Sequence, residues 1–292
     1  MYQQIQAEIE QGRRGVRRLC AAVGLSRAGY YRHRRRPKTK TAEEVALQDQ
    51  IQRIALEMGF YGYRRVRAAL QQEGWRVNGK RVLRLMREDN LLCLRQRKWI
   101  RTTDSSHRLP VYPNLVPELV LTGMNQLWVA DITYIRLRWE FIYLALILDV
   151  FSRRSVGWQL GRRLDTELAL AALQMALAGR QVQPGLVHHS DRGVQYASHA
   201  YTERLQQHGI RISMSRPGNP YDNAYAESLI KTLKHEEVYR YEYRTLEEAQ
   251  ERITWFLRDV YNQKRLHSAL RYRSPAQFEA RLEQAPSVGL SL

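Results

Sequence analysis

Three acidic residues of the sequence have a type and spacing that could serve catalysis. Asp131 lies inside the largely apolar run 127–135, Asp191 follows a short apolar segment, and Glu227 lies in a stretch with helical character. Thirty-five residues separate Asp191 from Glu227, and the basic residue Lys234 follows Glu227 by seven positions. Carboxylate oxygens are hard ligands for divalent cations, and a pair of such cations can stabilise the attacking and leaving oxygens of a phosphodiester displacement. The three carboxylates suit that chemistry if the fold brings their elements together.

Each carboxylate also has a plain structural interpretation. Asp131 could be an exposed strand residue, although its neighbours are apolar and a buried carboxylate without a cation is costly. Asp191 could form a turn, and Glu227 could be a solvated helix residue paired with Lys231 at i+4. The main rival is Asp149, which also ends an apolar run. We interpret Asp149 as structural, or as a support for the residues that hold the metal.

The sequence around these carboxylates resembles a known family. The segments are 189–193, His-Ser-Asp-Arg-Gly, and 215–228, Ser-Arg-Pro-Gly-Asn-Pro-Tyr-Asp-Asn-Ala-Tyr-Ala-Glu-Ser. Together with the spacing, they resemble the DDE core of bacterial insertion-sequence transposases and retroviral integrases. They are most similar to the large insertion-sequence family whose transposase is made by frameshifting between two reading frames. The resemblance runs from about Tyr30 to Phe278.

The resemblance implies roles for individual residues. Asp131, Asp191 and Glu227 are expected to be catalytic and to bind two Mg²⁺ ions, with Mn²⁺ as a substitute. Asp131 is expected to be shared by both ions, while the other two each hold one. The implied reaction is cleavage by water at the 3′ ends of a mobile element, followed by attack of the freed 3′-hydroxyl on another phosphodiester, with no covalent protein intermediate. Lys231 and Lys234 share the helical face of Glu227 and are expected to contact DNA, the alternative being a solvated basic face.

Charge and composition bound the class of protein. The formal net charge is +18, of which residues 1–124 carry +14 and residues 125–292 carry +4. A basic front half favours a polyanion partner because each Lys or Arg set against a phosphate releases counterions, although a solvated surface is the alternative. No apolar run reaches the about 20 residues of a membrane span, and the N-terminus lacks the apolar core of a secretory signal. With Cys20 and Cys93 far apart, these features favour a reducing cytosol and no membrane partner. The family resemblance implies a bacterial cytoplasmic, nucleoid-associated protein.

The first basic module is predicted at residues 1–40. Its pattern indicates a helix from Gly15 to Val23, a turn at Gly24, and a second helix from Arg27 to Arg35 with Ser26 as its N-cap. The outward face of the second helix contains Arg27, Arg32, Arg34 and Arg35, with Tyr30 and Tyr31 between them. Such a face is typical of a helix laid in the major groove, and a plain αα-hairpin is the alternative.

A second basic module is predicted at residues 45–95, after a polar linker at Pro37–Glu44. It contains helices from Tyr63 to Glu73 and from Gly79 to Asp89, and Arg81 is among its expected DNA contacts. The segment 60–65, Phe-Tyr-Gly-Tyr-Arg-Arg, is similar to the start of the second helical module in those transposases. Residues 96–124, which are basic and then rich in proline, are predicted to be a linker.

The periodicity changes at Asn125, where a core spanning residues 125–240 is predicted. The expected strands are 127–135, 139–150, 155–160, 185–189 and 211–214, and the expected helices are 165–178, 197–208 and one that carries Glu227. The order βββαβαβα resembles the ribonuclease H-like fold. The predicted fold class is therefore α/β, with a mixed five-stranded sheet and flanking helices, preceded by an all-α basic helix-turn-helix region.

Residues 241–292 are predicted to be a helical extension of the core. Thr245 and Glu248 form a capping box for a helix through Tyr261. The segment 262–270, Asn-Gln-Lys-Arg-Leu-His-Ser-Ala-Leu, resembles the usual C-terminal signature of the family.

The leading hypothesis is a transposase that acts on double-stranded DNA, namely terminal inverted repeats and target DNA. It is expected to form a homo-oligomer on DNA, either alone or as a fusion with an upstream-frame product. One alternative is a sequence-specific helix-turn-helix regulator with a degenerate integrase core, and another is a tyrosine recombinase. A zinc site at His188 and His189 is disfavoured because there is no Cys-x-x-Cys motif and no paired His spacing.

Overall fold

The first helical group packs around a small apolar core. The computed structural model describes residues 2–10, 15–34, 41–92, 109–216 and 220–284. Helices α1 (Tyr2–Glu10), α2 (Val16–Ala22) and α3 (Arg27–Arg34) come first. The turn between α2 and α3 forms as predicted: Gly24 has a φ of +68°, and the Ser26 hydroxyl accepts a hydrogen bond from the amide of Gly29 at 3.0 Å. Left-handed φ is a conformation that glycine adopts without penalty.

Two features of this group differ from the prediction. Helix α1 was not predicted, and Tyr30 does not lie on the outward face of α3. Tyr30 is 1% exposed and packs with Ile5 and Cys20, while its hydroxyl donates to Gln6 of α1. The tyrosine faces inward because α1 provides both an apolar partner and a hydrogen-bond acceptor. Tyr31 stays 41% exposed.

The second helical group has three helices, α4 (Ala42–Glu57), α5 (Tyr63–Gln72) and α6 (Gly79–Glu88). The prediction of a linker through Glu44 is wrong from Ala42 onward, and α4 was not predicted. Thr41 caps α4 by accepting a hydrogen bond from the amide of Glu44, and acidic residues occupy the first turn. Both features stabilise a helix N-terminus, so a polar segment begins a helix here. Residues 35–40 lie outside the described residues.

The core is built on a five-stranded sheet of order β3-β2-β1-β4-β5. The strands are β1 (Leu127–Arg136), β2 (Phe141–Asp149), β3 (Ser155–Gly161), β4 (Val187–Ser190) and β5 (Arg211–Met214). The first three strands pair in antiparallel fashion, whereas β4 pairs in parallel with both β1 and β5. This arrangement confirms the predicted mixed sheet.

Helices cover both faces of the sheet. They are α7 (Thr166–Gly179), α8 (Val194–Ala197), α9 (His199–Gln207), α10 (Ala224–Glu236) and α11 (Leu246–Trp255). Helix α12 (Pro275–Gln284) follows, and its Glu279 pairs with Arg154 and Arg180. Trp128 and Ala130 of β1 join the apolar core formed with α7, α8 and α9, whereas Val129 and Ile135 join the core formed with α10 and α11. The helix predicted at 197–208 is α9, which begins at His199 because Ser198 adopts an extended conformation and caps it, and the short α8 before it was not predicted. Helix α11 continues to Tyr261 through a π-helical segment.

The described part of the predicted linker 96–124 packs against the core. Leu115 donates its amide hydrogen to the Ser213 hydroxyl of β5 at 2.9 Å, and a short 3₁₀ helix covers Val116–Glu118. Leu115 and Leu119 contact the larger apolar core. Residues 96–108 lie outside the described residues. Within the described residues, no helix is both long and apolar enough to cross a membrane.

The second helical group packs directly against the core at a contact that we call the joint, formed by Tyr61, Arg65, Glu236 and Arg265. The Tyr61 hydroxyl accepts a hydrogen bond from the amide of Leu266 at 2.8 Å. Arg265 binds Glu236 through two hydrogen bonds of 2.6 and 2.7 Å, and Nη1 of Arg65 lies 3.8 Å from the same carboxylate. The two segments similar to family signatures, 60–65 and 262–270, therefore meet.

The joint predicts a specific pattern of stability. Glu236→Gln leaves the buried Arg265 guanidinium without its counterion, and we expect a loss of about 3–5 kcal/mol in the free energy of unfolding. Glu57→Gln is the matched control, since Glu57 and Lys264 form an exposed pair across the same contact, and exposed pairs contribute little. Urea unfolding followed by circular dichroism measures both. Equal losses in the two variants would contradict this account of the joint.

Candidate active site

The strand register brings Asp131 and Asp191 side by side. Strands β1 and β4 are parallel, and Leu127 pairs with Val187 while Val129 pairs with His189. The same register, extended by two residues, places Asp191 beside Asp131. Neighbouring strands lie about 4.8 Å apart. Asp131 is half-buried in mid-strand and Asp191 is half-buried just beyond the end of β4, so the two acidic residues meet at one place in the sheet.

Helix α10 places Glu227 next to this pair. Its residues Ala226, Leu229 and Leu233 are buried against the sheet, and Glu227 lies exposed in the first turn. The start of the helix is tied to β1 because the side-chain amide of Asn223 donates a hydrogen bond to the carbonyl of Ala130 at 3.1 Å. Asn223 thus connects α10 to the residue that directly precedes Asp131.

Asp191 and Glu227 act electrostatically on Asp131. The pKa of Asp131 is raised to about 8, first by burial and then by the negative charge of Asp191, with a further contribution from Glu227. The hydrogen bond from the amide of Ile132, at 2.8 Å, and the charge of Lys234 oppose that rise. Burial also raises the pKa of Glu227. A group with a perturbed pKa beside other ionisable groups is typical of functional sites.

The donor set suits hard divalent cations. Carboxylate oxygens on a rigid strand and helix are the ligands that Mg²⁺ prefers, and a cation would relieve the repulsion that raises the pKa of Asp131. Within the described residues, no three His, Cys, Asp or Glu side chains are grouped so that they could hold a single ion.

The two lysines of α10 differ in environment. Nζ of Lys234 lies 4.5 Å from the centre of the Tyr134 ring, and burial lowers its pKa while Asp131 acts in the opposite direction. Lys231 is exposed one turn earlier. Lys234 therefore brings a positive charge towards Asp131, and Lys231 is open to a ligand from solvent. Their contact with DNA stays a prediction.

The other predicted DNA contacts lie in the helical groups. Arg27 is exposed at the start of α3, and the side chain of Arg32 lies outside the described residues. Arg81 of α6 forms a salt bridge with Glu43 of α4, with Nη1 and Oε1 3.2 Å apart. The charge of Arg81 is thus partly balanced by a helix that the sequence pattern did not reveal.

His188 and His189 make their hydrogen bonds inside the core. They point to opposite faces of β4, where Nε2 of His188 lies 3.0 Å from the Tyr201 hydroxyl. Nδ1 and Nε2 of His189 lie 2.8 and 3.0 Å from the hydroxyls of Ser213 and Ser215. Burial lowers the pKa of His188 to about 3 and that of His189 to about 4. Both rings are therefore neutral, with their hydrogen-bonding nitrogens used inside the protein.

Asp149, the rival carboxylate, closes the turn between β2 and β3. It is fully buried and accepts hydrogen bonds from the amide of Asn125 at 2.6 Å, from the amide of Ser152 at 2.8 Å and from the Ser152 hydroxyl at 3.1 Å. Burial raises its pKa, and these hydrogen bonds oppose the rise. Its lone pairs are used to hold backbone, which agrees with a structural role.

Sequence reasoning missed two contacts beside α10. Asn223 occupies the N-cap position but makes no capping bond: its Nδ2 donates to the carbonyl of Ala130, and its buried Oδ1 has no hydrogen-bond partner within the described residues. Asp222 pairs with Arg216 through three hydrogen bonds of 2.9–3.1 Å, which lower the pKa of Asp222 to about 2. Both residues belong to the Tyr-Asp-Asn segment that carries the family resemblance. The family resemblance of this segment indicated that it matters, but it did not reveal that Asn223 contacts β1.

Comparison with known proteins confirms the predicted family. Residues 122–220 and 208–275 each match an integrase core domain, and residues 42–99 match an HTH-like domain. The HTH-like match covers α4, α5 and α6, and not the group at residues 1–40 that the sequence pattern favoured.

Relatives of similar length match along most of the chain. The 31 kDa protein of insertion element IS600 from Shigella sonnei is 39% identical over 270 residues, which cover 91% of this chain and 99% of that protein. The transposase of IS904 from Lactococcus lactis is 38% identical over 247 residues, which cover 84% and 98%. Among solved structures, the HTLV-2 integrase catalytic core domain in complex with magnesium is 17% identical and covers 53% of this chain and 95% of its own, with a TM-score of 0.41.

The buried histidines predict a loss of stability in acid. Their folded pKa values lie below the unfolded value of 6.5, so the unfolded chain binds protons that the folded chain does not. Each can therefore lower the free energy of unfolding by up to about 1.4 kcal/mol per pH unit as the pH falls below 6.5. We expect His188→Gln, which can keep the bond to Tyr201, to show a shallower decline in urea unfolding between about pH 6.5 and 5. A decline as steep as that of the wild type would contradict the prediction.

Proposed function

The chain belongs to the insertion-sequence transposases, and we propose that it cleaves and joins DNA strands at the ends of an insertion sequence in a metal-dependent reaction. The observation that supports this most is the placement of Asp131. A half-buried carboxylate lies beside Asp191, under the first turn of α10, with its pKa raised first by burial and then by its acidic neighbours. Such an arrangement is suited to holding cations and not to holding the fold together.

The three carboxylates are the proposed metal ligands and catalytic residues. Asp131, Asp191 and Glu227 would hold two Mg²⁺ ions, with Asp131 shared between them, and Mn²⁺ is expected to substitute. When bound, such ions stabilise the charge on the attacking and leaving oxygens of phosphoryl transfer. Because the proposed ligands lie on β1, directly after β4 and on α10, the rigidity of the sheet and of the Asn223 contact would determine how well the site is held.

The remaining residues of the site position DNA. Lys234, whose ammonium group acts electrostatically on Asp131, would contact an oxygen of the reacting phosphate, and the exposed Lys231 would contact a neighbouring phosphate. Water would attack first, at the 3′ end of the element, and the freed 3′-hydroxyl would then attack a target phosphodiester. Both steps are the same displacement at phosphorus, so one site serves for both and no protein nucleophile is needed.

Terminal inverted repeats and target DNA are the proposed partners. The HTH-like match at residues 42–99 supports duplex binding by α4, α5 and α6, and the exposed Arg27 supports a further contact by α3. We further propose a homo-oligomer on DNA, with the chain acting alone or as a fusion with an upstream-frame product, in the bacterial cytoplasm on nucleoid DNA. The division into modules at 1–40, 45–95, 96–124, 125–240 and 241–292 remains part of the proposal.

The alternative functions have less support. A regulator with a degenerate core does not need three carboxylates, yet all three are present, and Asp191 and Glu227 both act electrostatically on Asp131. A tyrosine recombinase would require a helical catalytic domain, whereas this core is a five-stranded sheet.

Replacing a proposed ligand tests the reaction. Glu227→Gln keeps the shape and helix propensity, so we expect folding and DNA binding to survive. Strand cleavage and strand transfer on a duplex with the element's own ends are expected to fall by several orders of magnitude, since each ~1.4 kcal/mol of lost stabilisation is a factor of ten. Asp149→Asn is the matched control and should retain activity when assayed below its melting temperature. If Glu227→Gln is active while a folded Asp149→Asn is inactive, then Asp149 and not Glu227 is needed for the reaction.

Thermal unfolding tests metal binding without any reaction. The raised pKa of Asp131 means that its stabilising contribution is present below the unfolded value of 3.8 and is lost as the pH rises towards 8. At pH near 8 the metal-free Asp131→Asn variant should therefore melt at a higher temperature than the wild type. Mg²⁺ should raise the melting temperature of the wild type and of Asp149→Asn, because it binds only the folded site, and not that of Asp131→Asn. An equal Mg²⁺ effect in all three proteins would contradict metal binding at Asp131.

A further inference from the structure

A basic cleft lies on the side of α10 that is opposite to Glu227. It has a volume of about 220 Å³, and its polar lining includes Arg65, Arg153, Ser228, Thr232, Arg265 and Ser268. On α10, Ser228 and Thr232 project about 100° or more around the helix axis from Glu227, whereas Lys231 and Lys234 share the Glu227 face. The cleft and the proposed active site therefore occupy different sides of one helix.

The cleft has an excess of positive charge. Arg265 and Arg65 both face a single carboxylate, that of Glu236, at 2.6 and 3.8 Å respectively. Arg153 has no carboxylate partner within the parts of the chain that the structure describes. Three guanidinium groups against one carboxylate leave a net charge of +2, and such an excess in a partly buried place attracts an anion.

Arg153 is held in place as a binding group would be. It has a φ of +59°, in the left-handed region that non-glycine residues seldom adopt. Its guanidinium lies over the ring of Tyr225, 4.2 Å from the ring centre. Stacking fixes the plane of the group and leaves its edge open for hydrogen bonds. The hydroxyls of Ser228, Thr232 and Ser268 line the same cleft and add neutral donors.

The state of His267 agrees with this charge. Burial, followed by the charges of Arg265, Arg65 and Arg153, lowers the pKa of His267 to about 2. The ring is therefore neutral in the folded protein and does not compete with the arginines for an anion.

We propose that the basic cleft binds a backbone phosphate of a DNA strand that passes from the active site over the exposed first turns of α10. Arg153 and Arg65 would supply charge-assisted hydrogen bonds, and Ser228 would supply a hydroxyl. Ala224, Tyr225 and Ser228 are exposed along the path between the two sites. Since a helix with its side chains is about 10–12 Å wide, the bound phosphate is a few nucleotides from the reacting one. The identity of the anion as DNA rests on the proposed function.

The salt dependence of DNA binding by the full chain tests the cleft. Fluorescence anisotropy with labelled duplexes, in excess chelator so that no metal-dependent reaction occurs, yields Kd over a series of salt concentrations. Arg153→Gln is expected to reduce the slope of log Kd against log salt by about 1, the effect of one lost phosphate contact. Arg211→Gln is the matched control, because Arg211 is exposed at the start of β5, at the opposite end of the strand from the active site. Its slope should equal that of the wild type.

Two more variants keep the test decisive. Arg153→Lys keeps the charge and should retain the wild-type slope. Ser268→Asp adds a competing carboxylate at an exposed position and should weaken binding even if Arg153→Gln fails to fold, which thermal unfolding detects. A wild-type slope for folded Arg153→Gln together with a wild-type Kd for Ser268→Asp would overturn the proposal. An equal loss of slope in Arg153→Lys and Arg153→Gln would overturn it as well.

The choice of duplex identifies the strand. A reduced slope only with a duplex carrying the element's own end places the end DNA in the cleft, and a reduced slope with a scrambled duplex as well places target-type DNA there. The outcome is separate from that of the proposed function. If the chain binds DNA through Arg153 but never cleaves it, the proposed reaction is refuted and the proposed phosphate contact in the cleft stands. If the wild-type chain cleaves DNA but Arg153→Gln leaves the salt slope unchanged, the proposed reaction stands and the phosphate contact in the cleft is refuted.

Discussion

The placement of a carboxylate in the middle of a central strand is the constraint on which the rest of the site depends. Asp131 lies on the face of β1 that also contains the buried Val129 and Ile135. Burial disfavours its charged form, and Asp191, just beyond the end of the neighbouring strand β4, adds repulsion. Its described hydrogen bond comes from the adjacent amide of Ile132, which is far less than a buried carboxylate needs. A cation bound by these carboxylates would stabilise their charged forms.

The contrast with the other buried carboxylates supports that interpretation. Asp149 accepts three hydrogen bonds, Glu236 accepts two from Arg265, and Glu279 binds both Arg154 and Arg180. Each of these three has the partners that make a buried charge tolerable. The number of fixed partners thus separates acidic residues that hold the fold from one that is available to a ligand.

Helix α10 connects the separate parts of the molecule. Its first turn carries Glu227, and Asn223 fixes that turn to β1 beside Asp131. Its opposite side forms the wall of the basic cleft, and its last turn carries Glu236, which binds both Arg265 and Arg65 of the joint. A shift of this one helix would change the proposed metal site, the proposed phosphate contact and the docking of α5 together. Coupling between DNA binding and catalysis would follow from this shared element.

Local patterns determined much of the fold. Alternating and continuous apolar runs predicted the five strands, because side-chain direction along a strand repeats every two residues whatever the rest of the chain does. The capping residues Ser26, Asp165 and Thr245 predicted helix starts for the same local reason. The motif spacing and the family wording pointed to Asp131, Asp191 and Glu227. Only the tertiary structure decided that Tyr30 faces inward, that Arg81 pairs with Glu43, that Asn223 binds Ala130 and that segments 60–65 and 262–270 meet. These contacts join residues from different elements, and one-dimensional periodicity carries no information about which distant side chain will be the partner.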